Sequence, residues 1–234
     1  MRPFGVLLVL LTVLPFWTAS TPPASAADAA VRRAQHRLNE LHCDAGPVDG
    51  RIDPHTRSAL VRFQSRHRLA QSGRLDGATR RRLGRSTAQR CDRRPLPAHS
   101  GSGRRIVVSQ GQNWIWLVGG AGKVQAQGGV VDNPRVLHRG SWHTGSWCGR
   151  PARVLRNRST SGALWLDHFV RFAPCGVGFH RIPRRMSTGQ QIHPDYYLGT
   201  DMAGASHGCV RLSRTMADRV WRFTAGRRTT VRVV

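Results

Sequence analysis

The chain has 234 residues, of which 39% are hydrophobic and 21% charged, enough apolar material for a buried core in one large or two modest domains. That composition excludes a disordered tail, a collagen-like fibre and a multipass membrane protein. Lys+Arg number 37 against 12 Asp+Glu, a net charge of +25, and every cation except Lys123 is arginine. Such a charge attracts polyanions of any kind, whether wall polymer, membrane surface or nucleic acid, without choosing among them.

The chain opens with the short basic start Met1-Arg2-Pro3, an apolar run from Phe4 to Trp17 and the small-residue site Ala24-Ser25-Ala26. Together they read as a secretory signal peptide over residues 1–26. The run is shorter than the roughly 20 residues a spanning helix needs, so no stable membrane insertion is expected after cleavage. Export puts five cysteines in an oxidising compartment, where idle thiols pair. Cys43 and Cys91 bracket one segment, and Cys148 and Cys175 sit together in the next. Pairing within each segment leaves Cys209 free, although spacing alone leaves the connectivity open. No CxxC and no tight Cys/His cluster is present, so no metal site is expected.

Residues 27–94 read as helical. Val31, Ala34, Leu38 and Leu41 recur at helical spacing, and the Gly46-Pro47-Val48-Asp49-Gly50 cluster is expected to end that helix. Asp53-Pro54 looks like an N-cap followed by proline at the first helical position, with Leu60 and Phe63 on the buried face. Asp76-Gly77-Ala78-Thr79 repeats the punctuation of Asp49, Gly50 and Thr56 and opens a third helix ending near Leu83-Gly84. So small a core needs a staple. A Cys43–Cys91 bridge would close a loop of about 49 residues and contribute about 4 kcal/mol by chain entropy.

Residues 95–103, Pro-Leu-Pro-Ala-His-Ser-Gly-Ser-Gly, read as a linker. Beyond it, residues 104–234 are mainly β: Arg105–Ser109, Trp114–Val118, Leu164–Leu166 and Thr229–Val234 are short β-branched or aromatic runs, with Gly119-Gly120 and Gly128-Gly129 read as separating turns. Met216, Val220 and Phe223 mark one amphipathic helix.

Several of these residues resemble a known module. Val31-Arg32-Arg33-Ala34-Gln35 with Leu38, Gly46-Pro47-Val48-Asp49-Gly50, Thr56, Ala59-Leu60, Phe63-Gln64 and Asp76-Gly77 with Thr79 and Leu83 are similar to the three-helix peptidoglycan-binding domain. The resemblance covers roughly residues 29–84 and implies attachment to a glycan wall. A generic helical spacer is the alternative.

Ser206-His207-Gly208-Cys209-Val210-Arg211-Leu212 is the most informative segment. A thiol is a strong nucleophile only as thiolate and needs a base or a positive field to become one. The candidate base is His180, in Gly178-Phe179-His180-Arg181-Ile182-Pro183; His193 lies nearer in sequence and is the rival. Gly208 leaves room for a substrate carbonyl, and the turn's amides could donate to an oxyanion. The bland alternative is a buried thiol and a core histidine.

Ser206-His207-Gly208-Cys209-Val210-Arg211, together with Phe179-His180-Arg181-Ile182-Pro183, resembles the L,D-transpeptidase (YkuD-type) catalytic domain over roughly residues 104–234. The resemblance implies Cys209 as nucleophile, His180 as base with the Arg181 carbonyl orienting its ring, and Ser206, His207 and Gly208 as shapers of the turn. It also implies Gly208 and Cys209 amides as oxyanion donors and Arg211 as a partner for a substrate carboxylate. Two departures stand out: an insertion over 184–205, read as either a lid or a plain surface loop, and Leu137-His138-Arg139-Gly140-Ser141-Trp142 where the family usually shows a Thr-Pro-Thr-Gly turn. The expected fold is a small all-α three-helix domain followed by a mainly-β catalytic domain with a C-terminal helix. The expected activity is a secreted, wall-associated peptidoglycan crosslinking enzyme acting on stem peptides without a cofactor. Alternatives are a carboxypeptidase or wall-protein attachment enzyme with the same nucleophile, and a non-catalytic wall-binding protein. Nucleic acid is not an expected partner.

Overall fold

The structure, a computed structural model, describes residues 26–204 and 206–234. The expected signal peptide lies outside the described residues except for its last, Ala26, which opens the first helix.

Three helices come first: α1 (Ala26–Glu40), α2 (Pro54–Arg66) and α3 (Gly77–Leu83). Asp53 caps α2, its Oδ1 accepting from the Thr56 amide at 2.8 Å, and Asp76 caps α3 by the same bond from Thr79 at 2.8 Å. The repeat therefore aligns Asp53, not Asp49, with Asp76. It carries a buried glutamine in each copy. Gln35 accepts from the Gly50 amide and donates to Thr56 Oγ1; Gln64 accepts from the Gly73 amide and donates to Thr79 Oγ1. Each amide thereby satisfies a loop that would otherwise bury unpaired polar groups. Helix α1 ends before the Gly46–Gly50 cluster, because the Asn39 side chain binds the Ala45 amide and the Gly46 carbonyl while His42 and Asp44 turn the chain at positive φ. Leu38, Leu60 and Phe63 form the core with Cys43 and Cys91, which are joined as a disulfide.

The second region carries β1 (Arg105–Ser109), β2 (Trp114–Val118), β3 (Val124–Gly129), β4 (Gly140–His143), β5 (Arg153–Arg158), β6 (Leu164–Arg171), β7 (Gly178–Arg181), β8 (Arg184–Arg185), β9 (Val210–Leu212), α4 (Arg214–Phe223) and β10 (Thr230–Val233). One mixed sheet runs β3–β2–β1–β10–β4 and the other β5–β6–β7–β9, with β8 added to β6. Met216, Val220 and Phe223 of α4 enter the core between them. Gly128-Gly129, read as a turn, lies in β3. A Cβ on Gly129 would stand 2.6 Å from the Gly199 nitrogen, so the glycine serves close backbone approach rather than chain reversal.

Strands β1 and β2 are buried throughout because both faces are covered. Ile106, Val108, Ile115 and Leu117 face the main core, while Val107, Trp114, Trp116 and Val118 lie beneath Leu96. Trp116 Nε1 donates to the Arg94 carbonyl at 3.0 Å. The proline- and glycine-rich stretch after Arg94 is thus laid against the sheet.

Candidate active site

Alternation along two strands places the candidate residues. On β9, Val210 and Leu212 point into the core, which turns Arg211 and the preceding Cys209 to the other face. On β7, Phe179 points into the core and His180 to that same other face. The strands are parallel, with Phe179 opposite Val210 and His180 opposite Arg211. Cys209, His180 and Arg211 accordingly line one cavity of about 410 Å³, together with Ser206, His207 and Phe169.

The turn before β9 is closed by Ser206, whose Oγ donates to the Cys209 carbonyl at 2.6 Å and accepts from the Gly208 amide at 3.0 Å. Gly208 sits at φ +118, and a Cβ there would stand 2.6 Å from Val136 Cγ1; only glycine fits. Cys209 is half-buried, with Sγ 3.4 Å from the Gly176 carbonyl. Burial raises its pKa, against the opposing pull of the Gly178 amide and the charges of Arg171 and Arg211. The resting group is therefore a thiol, which needs a base to react.

His180 has the protonation state such a base needs. Its Nδ1 lies 2.5 Å from the Arg181 carbonyl, to which it donates, leaving the Nε2 lone pair free. The ring is 2% exposed and stacks on Phe169 at 5.9 Å. Burial lowers its pKa to about 4, so the imidazole is neutral at physiological pH. His193 is buried too, with Nδ1 3.0 Å from the Pro194 carbonyl, but it is not among the residues lining the cavity of Cys209. Among the described residues, no three His, Cys, Asp or Glu side chains gather as a metal-binding set.

The departing segment after Asp132 frames this turn. The Ser206 amide donates to the Asp132 carbonyl, Asn133 Nδ2 donates to the Ser206 carbonyl at 2.6 Å, and Val131 exchanges backbone hydrogen bonds with Arg211. Sequence reasoning saw here only a missing motif; the Asn133-Pro134 turn dipeptide was the one available signal. The insertion is more than a plain surface loop, and its Ile192 lines the cavity of Cys209. Its 3₁₀ turn, Asp195–Tyr197, packs against α2, Tyr196 stacks on His55 at 4.3 Å, and Leu198 and Thr200 are buried. Of the expected second disulfide, Cys148 is disulfide-bonded; the side chain of Cys175 lies outside the described residues.

A family model for a putative peptidoglycan binding domain matches residues 27–83, and one for the L,D-transpeptidase catalytic domain matches residues 65–233. Fold and matches together describe a peptidoglycan-binding domain joined to a transpeptidase domain. With well over half its length matched, the chain belongs to the L,D-transpeptidase (YkuD) family. No curated protein matches it. Among solved structures it is similar to an L,D-transpeptidase from Xylanimonas cellulosilytica, at 20% identity over 87% of this chain and 92% of that one with a TM-score of 0.48. It is also similar to one from Stackebrandtia nassauensis, at 20% identity over 90% and 92% with a TM-score of 0.43. Among the described residues, no helix is long and apolar enough to cross a membrane.

Proposed function

We propose that this is an exported peptidoglycan L,D-transpeptidase that works through a thioester on Cys209. Residues 1–26 direct export, 27–94 bind the wall, 95–103 join the domains and 104–234 carry the chemistry, with Cys148 paired to Cys175. His180 Nε2 takes the Cys209 proton, and the sulfur attacks the carbonyl between the third and the terminal D-residue of a tetrapeptide stem. The tetrahedral oxyanion takes a hydrogen bond from the Cys209 amide, because the Gly208 amide already donates to Ser206. Collapse breaks the peptide bond, and the leaving amine recovers the proton from His180. An amine of a second stem then attacks the thioester, gives its proton to His180, and the released thiolate is reprotonated. Arg211 meets the substrate carboxylate in the cavity. Both half-reactions pass through one covalent intermediate and require no redox group.

The observation that carries this reading is the shared face and cavity of Cys209 and a neutral His180 with a free Nε2. Intact-mass measurement with a stem tetrapeptide, and separately with a carbapenem, tests it. One covalent adduct is expected on the native protein and none on Cys209→Ser, with crosslinked dimer forming when an acceptor amine is added. Adducts of equal yield on both proteins would refute the nucleophile; release of tripeptide alone would replace crosslinking by hydrolysis.

A further inference from the structure

Arg62 lies on α2, in the wall-binding domain, yet only 6% of it is exposed. It does not line the cavity of Cys209, and among the described residues its charge has one distant partner, Asp44 at 3.7 Å. Its guanidinium is spent on backbone carbonyls of both domains. Nε and Nη2 donate to Cys43 at 2.9 and 2.7 Å, and Nη2 also donates to Asp44 at 2.8 Å. Nη1 donates to the carbonyl of Tyr196 and, at 3.3 Å, to that of Leu198. The Cys43 end is anchored by the Cys43–Cys91 disulfide.

A short chain of bonds leads onward from the other end. The Gly199 amide donates to the Val130 carbonyl at 3.0 Å. Val131 is paired with Arg211, and Asp132 and Asn133 hold both backbone groups of Ser206. Residues 196–199 are thus fastened to the helical domain on one side and to the 130–133 stretch on the other, and that stretch in turn holds Ser206 and Arg211 on either side of Cys209. His55 stacked on Tyr196 and Ser58 Oγ on Met202 Sδ at 3.4 Å widen the same contact.

We propose that Arg62 is a positioning residue for the reaction: the wall-binding domain sets the geometry of the nucleophile turn through residues 196–199 and the 130–133 stretch. This rests on Cys209 being the nucleophile. A guanidinium fork suits the task because it holds several carbonyls in a fixed plane, which an ammonium does not, and a displacement of about 1 Å at a nucleophile costs on the order of 100-fold.

The test uses full-length protein and a soluble stem tetrapeptide with an acceptor amine, so that retention on the wall does not limit turnover. Arg62→Met should lower kcat about tenfold with KM little changed. It should also speed hydrogen exchange of the 198–211 amides about tenfold while far-ultraviolet circular dichroism stays native. Arg62→Lys should fall between the two. If Arg62→Met does not fold, Tyr196→Ala and His55→Ala remove the outer part of the same contact and should shift both readouts the same way by a few-fold. Native kcat and native exchange in the folded variants would overturn the proposal. Cys209→Ser is measured alongside: if it is inactive while Arg62→Met is unimpaired, only the clamp fails. If Cys209→Ser stays active, the nucleophile assignment fails, and the exchange rates still judge the clamp.

Discussion

His180 and His193 are built alike and differ in what they face. Each turns Nδ1 onto the carbonyl of the next residue, at 2.5 and 3.0 Å. Burial lowers the pKa of each, with the charge of Arg211 pushing the same way. His180 stands on β7 and opens into the cavity that holds Cys209. His193 stands in the insertion, and its Nε2 is buried without a partner. A fixed tautomer and a neutral ring are therefore products of local backbone geometry and burial; the sheet register decides which ring can serve as a base.

The largest expected effect separates the two directly. His180→Gln should lower kcat/KM with the stem peptide by about 10²–10⁴-fold, the range for a positioned general base, whereas His193→Gln should stay within a few-fold. Comparable losses in both would erase the distinction drawn from register. The next effect is on stability. His180 is held at about 4 against an ordinary 6.5, so as pH falls the unfolded chain takes up this proton first. The contribution is complete above pH 6.5 and is lost as pH drops toward 4, by about 3 kcal/mol. Urea unfolding between pH 7 and 4 should show a loss that flattens in His180→Gln; an unchanged slope would contradict the burial argument. The smallest effect is on alkylation. The iodoacetamide rate at Cys209 should fall about tenfold at neutral pH in His180→Gln and stay native in His193→Gln. A drop in the second variant alone would reverse the assignment.

The regular elements carry their signals in residue type and spacing. Strands β1 and β2 announce themselves as unbroken β-branched and aromatic runs, Asp53-Pro54 marks a helix start and the Met216–Phe223 spacing a helix face. Strand β5, Arg-Val-Leu-Arg-Asn-Arg, was silent because it alternates only weakly and is partly exposed along its length. β3 was silent because its Gly128-Gly129 pair, which makes room for Met216 and Gly199, reads as a turn. At the site, the Cys209 turn and His180 were visible as motifs. Asp132 and Val136 were not, since they act through a backbone bond and a single close approach that leave no residue-type pattern, and Asn133, whose side chain holds the Ser206 carbonyl, was marked only by the Asn133-Pro134 turn dipeptide. Arg62 was invisible for a different reason: arginine is rarely buried, and nothing in its local context hints that it binds five hydrogen-bonded contacts' worth of main chain across two domains.

The stretch after Arg94 limits reach. With Leu96 packed on Trp114 and Trp116 and Arg94 buried against Ser65, Gln112 and the Trp114 ring, the two domains share no slack. An enzyme on a loose leash could sample every stem within a sphere around its anchorage. Held this way, the helical domain fixes the Cys209 cavity at one offset and one angle from its anchorage, so under the proposed function the architecture of the mesh, as much as the pocket, selects where a new bond is made.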